Sequence, residues 1–336
     1  MHILGIETSC DETSAAVSKK RNILSNITIN QLIHSKYGGV VPEIASREHL
    51  LLISKVVDKA IIDAKISIDK IDAIAVTNGP GLKGALIVGV NFAKGLSIAL
   101  DIPIIPINHM EGHLFSNFIG LDEIKYPFLS MLVSGGHTQI WLIESYQNYK
   151  LCSTTIDDAA GEAFDKGARM LGLGYPGGPE IEKLALDGKK EKYKFPIAKI
   201  KNDKDNFSFS GVKTSLFYLL KKIDSNTYNN NKHHIAASYQ EAILDALIEK
   251  LIFVSKKINV YDIVISGGVT ANKRFRKKID KTNKNDLYKI KFPDIKYSTD
   301  NAAMICMAGH EKALNNQFSN LTFDVNPNQL MNDYEI

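Results

Sequence analysis

Ile3-Leu4-Gly5-Ile6-Glu7-Thr8-Ser9-Cys10-Asp11-Glu12-Thr13-Ser14-Ala15-Ala16-Val17 is the stretch on which the architecture turns. Apolar residues run up to Glu7 and resume beyond Thr13, with small hydroxyls and acids between them. That order reads as strand, polar turn, strand. It returns further along: Phe128–Val133 reads as a strand, Ser134-Gly135-Gly136-His137-Thr138 as a small-residue turn, and 139–143 as a second strand. A third turn, Ser266-Gly267-Gly268-Val269-Thr270-Ala271-Asn272, follows the apolar run 263–265 and is expected to open a basic helix. The repetition predicts two related α/β lobes, each begun by a hairpin. A chain of 336 residues is also too long for one ordinary core.

The segments between fit such lobes. A helix is expected near 44–65, a strand over 73–77, and a turn at Asn78-Gly79-Pro80-Gly81 leading into an apolar helix. Gly81 and Gly84 there permit close backbone approach. A short strand over 103–107 leads to His109, and helical periodicity over 235–254 puts Ala236, Ile243, Leu247 and Leu251 on one face. By composition 226–232 reads as a loop and the lysine-rich 188–206 as a surface excursion. The lobes are drawn as 1–108, closed by part of the C-terminal helix region, and 109–330.

Composition narrows the class. At 44% hydrophobic and 23% charged the chain is globular rather than disordered. Cys10, Cys152 and Cys306 are odd in number, far apart and without a C-x-x-C pair. Neither a zinc ribbon nor a disulfide framework is indicated, and a reducing cytoplasm fits. The first residues show no charged leader or apolar signal core, so secretion is not expected. The apolar stretch 84–100 is interrupted by Asn91 and Lys94 and reads as a buried helix, too short and polar to span a bilayer. The formal charge is +4, with lysine clusters at 189–194 and 273–278. These could be a footprint for an RNA backbone. A solvated surface enriched in lysine by AT-rich coding explains them better, so charge alone does not assign a partner.

His109-Met110-Glu111-Gly112-His113 is the sharpest local signal. Residues four apart share a helix face, so both imidazoles can reach one ion. Imidazole suits zinc or iron, and a carboxylate from elsewhere would complete a site with an open position. Glu111 falls about 200° around the helix from His109, unlike the base of an H-E-x-x-H protease. The alternative is a pair of unrelated helix histidines. The two glycine turns can present amides to an oxyanion, although hairpins also use Gly-Gly for its conformation alone. The 157–169 stretch reads as a helix with Asp158, Glu162 and Asp165 on one side and a Glu162–Lys166 pair. Tyr175-Pro176-Gly177-Gly178-Pro179 is a rigid turn near which a carboxylate could meet ribose hydroxyls. In Ser298-Thr299-Asp300-Asn301, Thr299 or Asp300 is placed at a helix N-cap.

In this order the blocks resemble the glycoprotease-type family of bacterial tRNA N6-adenosine threonylcarbamoyltransferases, TsaD. The resemblance runs nearly end to end. It includes Gly5-Ile6-Glu7-Thr8-Ser9-Cys10-Asp11-Glu12-Thr13, Gly38-Gly39-Val40-Val41-Pro42-Glu43, Gly79-Pro80-Gly81-Leu82, the His109–His113 block and Leu132-Val133-Ser134-Gly135-Gly136-His137-Thr138. It continues through 157–166, Tyr175-Pro176-Gly177-Gly178-Pro179, Phe207-Ser208-Phe209-Ser210-Gly211, Gly267-Gly268-Val269 and Thr299-Asp300-Asn301.

The resemblance implies a two-lobed actin/hexokinase-like fold with a ligand cleft between the lobes. It implies transfer of a threonylcarbamoyl group from threonylcarbamoyl-AMP to N6 of adenosine-37 in tRNAs that read ANN codons. It further implies one Fe(2+) per chain, with zinc as the alternative, on His109, His113 and Asp300. Leu132, Val133, Ser134, Gly135, Gly136, Asp165, Gly178 and Asn272 would bind the substrate. The implied partners are an inactive paralogue, TsaB, and a small ATPase, TsaE, in the cytoplasm and without a membrane. Three positions depart: Glu182 stands where many members carry aspartate, and Thr270 and Lys273 stand where the common S-A-N-R has serine and arginine. No residue is singled out as a general base. The rival readings are a metalloendopeptidase, which would need Glu111, a non-catalytic nucleotide-binding scaffold, which would have lost the histidine and Asp300 motifs, and a sugar kinase, which gives the histidines no purpose.

Overall fold

In a computed structural model, residues 1–198, 205–284 and 287–331 are described. The chain divides into two compact units, Met1–Lys125 with Pro293–Ile336, and Tyr126–Phe292. The boundary therefore differs from the expected one after residue 108. Helix α3 (His109–Phe115) packs on α9 (Ala302–Leu314), and both belong to the first unit.

The first unit is built on β1 (His2–Glu7), β2 (Glu12–Lys19), β3 (Asn22–Asn30), β4 (Ala73–Gly79) and β5 (Ile104–Asn108), in the spatial order β3-β2-β1-β4-β5. β1 and β2 pair antiparallel from Glu7↔Ser14 to His2↔Lys19, and β4 joins β1 in parallel. Helices α1 (Pro42–Ala64) and α2 (Lys83–Leu100) pack on the sheet around Ile6, Val17, Val57, Val76 and Ile104. α2 is long and apolar enough to cross a membrane on those two measures, contrary to the sequence expectation. Its Ala85, Leu86, Gly89, Val90 and Ala93 are buried, as a core helix requires. α9 crosses β1 and β4 closely because Gly5 and Gly309 lack side chains. A Cβ at Gly5 would lie 2.6 Å from the Ala302 carbonyl, and one at Gly309 2.6 Å from Ala75 Cβ.

The second unit repeats the plan. β6 (Phe128–Val133), β7 (Thr138–Ser145), β8 (Asn148–Thr154), β9 (Asp262–Ser266) and β10 (Lys289–Lys291) lie in the order β10-β9-β6-β7-β8. Each sheet has a hairpin, a third antiparallel strand on one side, and two parallel strands on the other. The helices are α4 (Ala160–Met170), α5 (Gly177–Ala185), α6 (Ser210–Lys222), α7 (Ser225–Ile258) and α8 (Lys273–Asn283). Fully buried Tyr239 of α7 packs against Gly167 of α4 and donates its hydroxyl to the Ala163 carbonyl at 2.8 Å.

Several local expectations change. Residues 226–232 are helical, because Asp224 caps α7 by accepting from the Thr227 amide and hydroxyl. α4 begins at Ala160, so Asp157 and Asp158 precede it, although the Glu162–Lys166 pair forms at 2.7 Å. Of the 188–206 excursion, 199–204 lies outside the described residues.

Candidate functional site

The first unit gathers His109, His113 and Asp300. α3 starts at the end of β5, where the Asn108 carboxamide accepts from the Met110 amide at 2.9 Å and fixes the helix start. One helical turn then stacks the two imidazoles edge to face, with centroids 4.7 Å apart. The glycine between them lets α9 approach: a Cβ on Gly112 would come within 2.9 Å of Ile305 Cδ1. Asn301 caps α9 by accepting from the Met304 amide. The cap is thus neither Thr299 nor Asp300. Asp300 instead turns its carboxylate to the histidines, 3.0 Å from His113 Nε2 and 3.7 Å from His109 Nε2. One ligand atom from each of the three lies within 4.8 Å of the others.

This donor set fits a divalent metal. Beyond Asp300, neither ring nitrogen of His113 has a hydrogen bond among the described residues, although its side chain is only 1% exposed. A buried imidazole in that state is costly unless an ion takes its lone pair. Behind His109 stands Glu7, which the sequence alone does not single out as a site residue. Its buried carboxylate accepts from the Ser9 amide at 2.6 Å and from the Thr77 hydroxyl, and lies 3.3 Å from His109 Nδ1. The Ser9 hydroxyl is 3.1 Å from the same nitrogen. Nδ1 therefore carries a hydrogen toward Glu7, and Nε2, on the side of Asp300, is the atom that would take an ion once its own proton is lost. Burial opposes charge on His109, but the carboxylates of Asp300 and Glu7 outweigh it and raise its pKa to about 9. Burial also penalises Glu7, yet His109 holds its pKa below the usual carboxylate value. Glu12 is pushed the other way, well above that value, by burial and by Asp300 and Asp11.

Glu111 is fully buried, and its carboxylate lies 3.7 Å from Lys312 of α9. That is a structural ion pair across the α3–α9 contact. Gly81, just before α2, allows a close approach to Ser9, where the Leu82 amide donates to the Ser9 carbonyl at 2.8 Å and ties down the first turn, while Gly84 lets α2 approach Ser46 of α1. The thiols are not activated: burial raises the pKa of Cys10, Cys152 and Cys306, the last to about 12.

The second unit gathers the residues matched to the nucleotide. β6 and β9 are parallel neighbours, with Leu132 opposite Ser266, so their glycine turns emerge side by side at the strands' carboxyl ends. Ligands of open α/β sheets bind at such ends. The first turn is closed by the Ser134 amide donating to the His137 carbonyl at 2.8 Å and the His137 amide donating to Ser134 Oγ at 3.1 Å. Gly135 and Gly136 are exposed, and a Cβ on either would meet nothing within 4 Å. Gly161 at the start of α4 must be glycine, because a Cβ there would lie 2.5 Å from the Ser134 carbonyl. Gly267 has φ +92°, and its missing Cβ would strike the Val133 carbonyl.

The second glycine turn does not open α8 directly. A short 3-10 turn follows it, and Asn272 caps the helix by accepting from the Phe275 amide while donating to Gln240 at 2.8 Å. Glu182 accepts from the next amide, Lys273, at 2.7 Å. Asp165 accepts from the Gly177 amide at 2.7 Å, and burial raises its pKa despite that bond. Gly178 beside it opens to free space. Asp165 and Gly178 are thus tied across α4–α5, while Glu182 ties α5 to the start of α8 beside Asn272.

The chain matches the family model described as TsaD, tRNA N6-adenosine threonylcarbamoyltransferase, over residues 22–307. A curated relative of that name from Caldicellulosiruptor saccharolyticus is 49% identical over 329 residues, covering 97% of each chain. One from Thermosipho africanus is 49% identical, covering 98% of this chain and 99% of its own. Among solved structures, full-length HypF in a phosphate- and nucleotide-bound form superposes with a TM-score of 0.61 at 12% identity, covering 95% of this chain and 56% of that one. HypF from T. kodakarensis gives 0.65 at 12% identity, covering 94% and 48%. The chain spans about half the length of these two structures. At such identity the likeness carries the fold alone: the two-lobed actin/hexokinase-like α/β fold.

Proposed function

Because the chain belongs to the tRNA N6-adenosine threonylcarbamoyltransferase family, we propose that it moves a threonylcarbamoyl group from threonylcarbamoyl-AMP to N6 of adenosine-37 in tRNAs reading ANN codons. It is a transferase that modifies tRNA. The observation that carries the finer reading is the convergence of His109, His113 and Asp300 in a chain otherwise matched along its length. Two histidines and one carboxylate with open positions suit Fe(2+), with zinc the alternative. Burial of Glu111 against Lys312 speaks against the metallopeptidase reading, and the intact ligand set against a non-catalytic scaffold.

The donor is a mixed carbamic–phosphoric anhydride. N6 of adenosine attacks its carbonyl carbon, a C–N bond forms, the C–O bond to phosphate breaks, and AMP leaves with the electron pair while N6 gives up a proton. Adenosine's exocyclic amine is a poor nucleophile, so positioning and charge stabilisation dominate. A bound metal would supply Lewis acidity to the threonylcarbamoyl group. The open amides of Gly135 and Gly136 would hold the phosphate. Asp165, Gly178 and Asn272 would bound the nucleoside, and Glu182 stands close enough to Asn272 to join them. The reaction is proposed to occur in the cytoplasm with a TsaB-type paralogue and a TsaE-type ATPase, which the family resemblance supports.

The test is transfer of labelled threonylcarbamoyl to unmodified tRNA, with metal analysis of the purified chain. A His109→Ala/His113→Ala variant is expected to lose metal and about a hundredfold or more in rate, the scale of removing a charge-stabilising group. Undiminished transfer without bound metal would sink the metal role.

A further inference from the structure

One surface of the second unit stands apart in charge. Segments 189–194 and 273–284 carry eleven lysines and arginines and two acids. They are drawn together by Glu241 of α7, which takes Lys190 at 3.0 Å, Arg274 at 2.8 Å and Lys278 at 2.5 Å. With Glu241 and Asp245 included, these segments amount to +7, against +4 for the whole chain, so the rest of the molecule is net negative. A coding bias toward lysine would enrich every exposed surface alike. It does not predict one region holding more than the molecule's entire net charge.

The helix geometry sharpens this. Glu241 engages Arg274 and Lys278 on one row of α8, while Arg276 turns away to the Thr270 carbonyl and the Phe292 ring. The adjacent row, Lys273, Lys277 and Lys281, is exposed, spaced by fours, and has no carboxylate partner among the described residues. It extends about 12 Å along the helix, enough to follow successive phosphates. Beside it the 189–194 segment is pinned through Lys190, with the Lys189 amide donating to His234 at 2.9 Å. Positioned lysines on a rigid helix, held beside a braced loop, match the sequence-independent recognition of a nucleic-acid backbone.

We propose that the α8 face, with the 189–194 segment, docks the phosphate backbone of the tRNA substrate. This rests on the reading of tRNA as substrate and adds where it is held. The test uses the full chain with the partner proteins that transfer requires. Lys273→Gln/Lys277→Gln/Lys281→Gln removes three charges while keeping good helix formers. The tRNA Kd is measured across salt concentrations, alongside KM and kcat for transfer and binding of threonylcarbamoyl-AMP. Expected are a weakening of tRNA binding by about tenfold or more at low salt and a salt slope shallower by about two to three, roughly one for each phosphate no longer neutralised. KM for tRNA rises, binding of threonylcarbamoyl-AMP is unchanged, and the corresponding triple arginine variant restores tRNA binding. Unchanged Kd and slope beside an active wild type would overturn the docking face alone. So would a loss that the arginine variant fails to rescue, or a variant that loses an acidic protein partner while binding tRNA normally. A wild type that neither binds nor modifies tRNA would overturn the functional reading together with this one.

Discussion

At the scale of single residues, the spacing of His109 and His113 was readable because a helix repeats every 3.6 residues. The third member was not readable from spacing and came only with the family resemblance. Asp300 lies far along the chain, and its sequence neighbourhood reads equally well as a helix cap. The cap is in fact Asn301, which leaves the Asp300 carboxylate to face the histidines. Glu7 was hidden for a different reason: at the end of a buried strand it looks like the last residue before a turn. Its contacts with Ser9, Thr77 and His109 mark it as a group that would hold the ring for ligation through Nε2. Replacing it with Gln keeps the shape and removes the charge. Glu7→Gln is expected to weaken metal binding by about 10- to 100-fold, the usual cost of losing such a partner. Titration with Zn(2+), read by calorimetry, measures this directly, and unchanged affinity would show that Ser9 alone orients the ring.

Among elements, strands and hairpins were the most legible, since small turns separate strongly apolar runs. Both sheets carry the expected hairpins, in matching topology. Helix ends were less legible because caps depend on side-chain geometry. Asp224 extends α7 over an asparagine-rich segment that composition assigns to a loop, and Asn272 delays the start of α8 beyond its glycine turn. The contact between α7 and α8 also sets a pH dependence. Burial opposes the charge on Glu241, but Arg274, Lys278 and Lys190 outweigh it and lower its pKa to about 2, from 4.5. A depressed carboxylate pKa stabilises the fold at pH values above the unfolded pKa, and that stability is lost as pH falls toward the folded one. Glu241→Gln should therefore lower the urea midpoint most near neutral pH. Its gap from wild type should narrow between about pH 4.5 and 2, followed by far-UV circular dichroism. A gap that is constant across this range would mean that the pairs contribute no net charge stabilisation.

For the molecule as a whole, the chain's path decides which part a bound metal would stabilise. The first unit is discontinuous: His109 and His113 come from its N-terminal segment, and Asp300 from the segment that returns after the second unit. The sequence led to the expectation that the C-terminal helix region closes this unit, but not to its boundaries, because nothing in the composition of the Lys125 or Pro293 region marks where the chain leaves and re-enters. All three candidate ligands nevertheless lie in one unit, on elements that pack together through Gly112, Gly5 and Gly309. A ligand that binds only the native state stabilises what must be folded to bind it, by about 2.7 kcal/mol at a hundred times its Kd. Adding Zn(2+) to chelator-treated protein should slow amide exchange in α3, α9 and β1. It should leave the core of the second unit, around Phe164, Tyr239 and Phe275, at its metal-free rate. Hydrogen-exchange mass spectrometry resolves the two regions in one experiment. Equal protection in both would show that the chain opens as one cooperative body, and protection in neither would remove His109, His113 and Asp300 as a metal site.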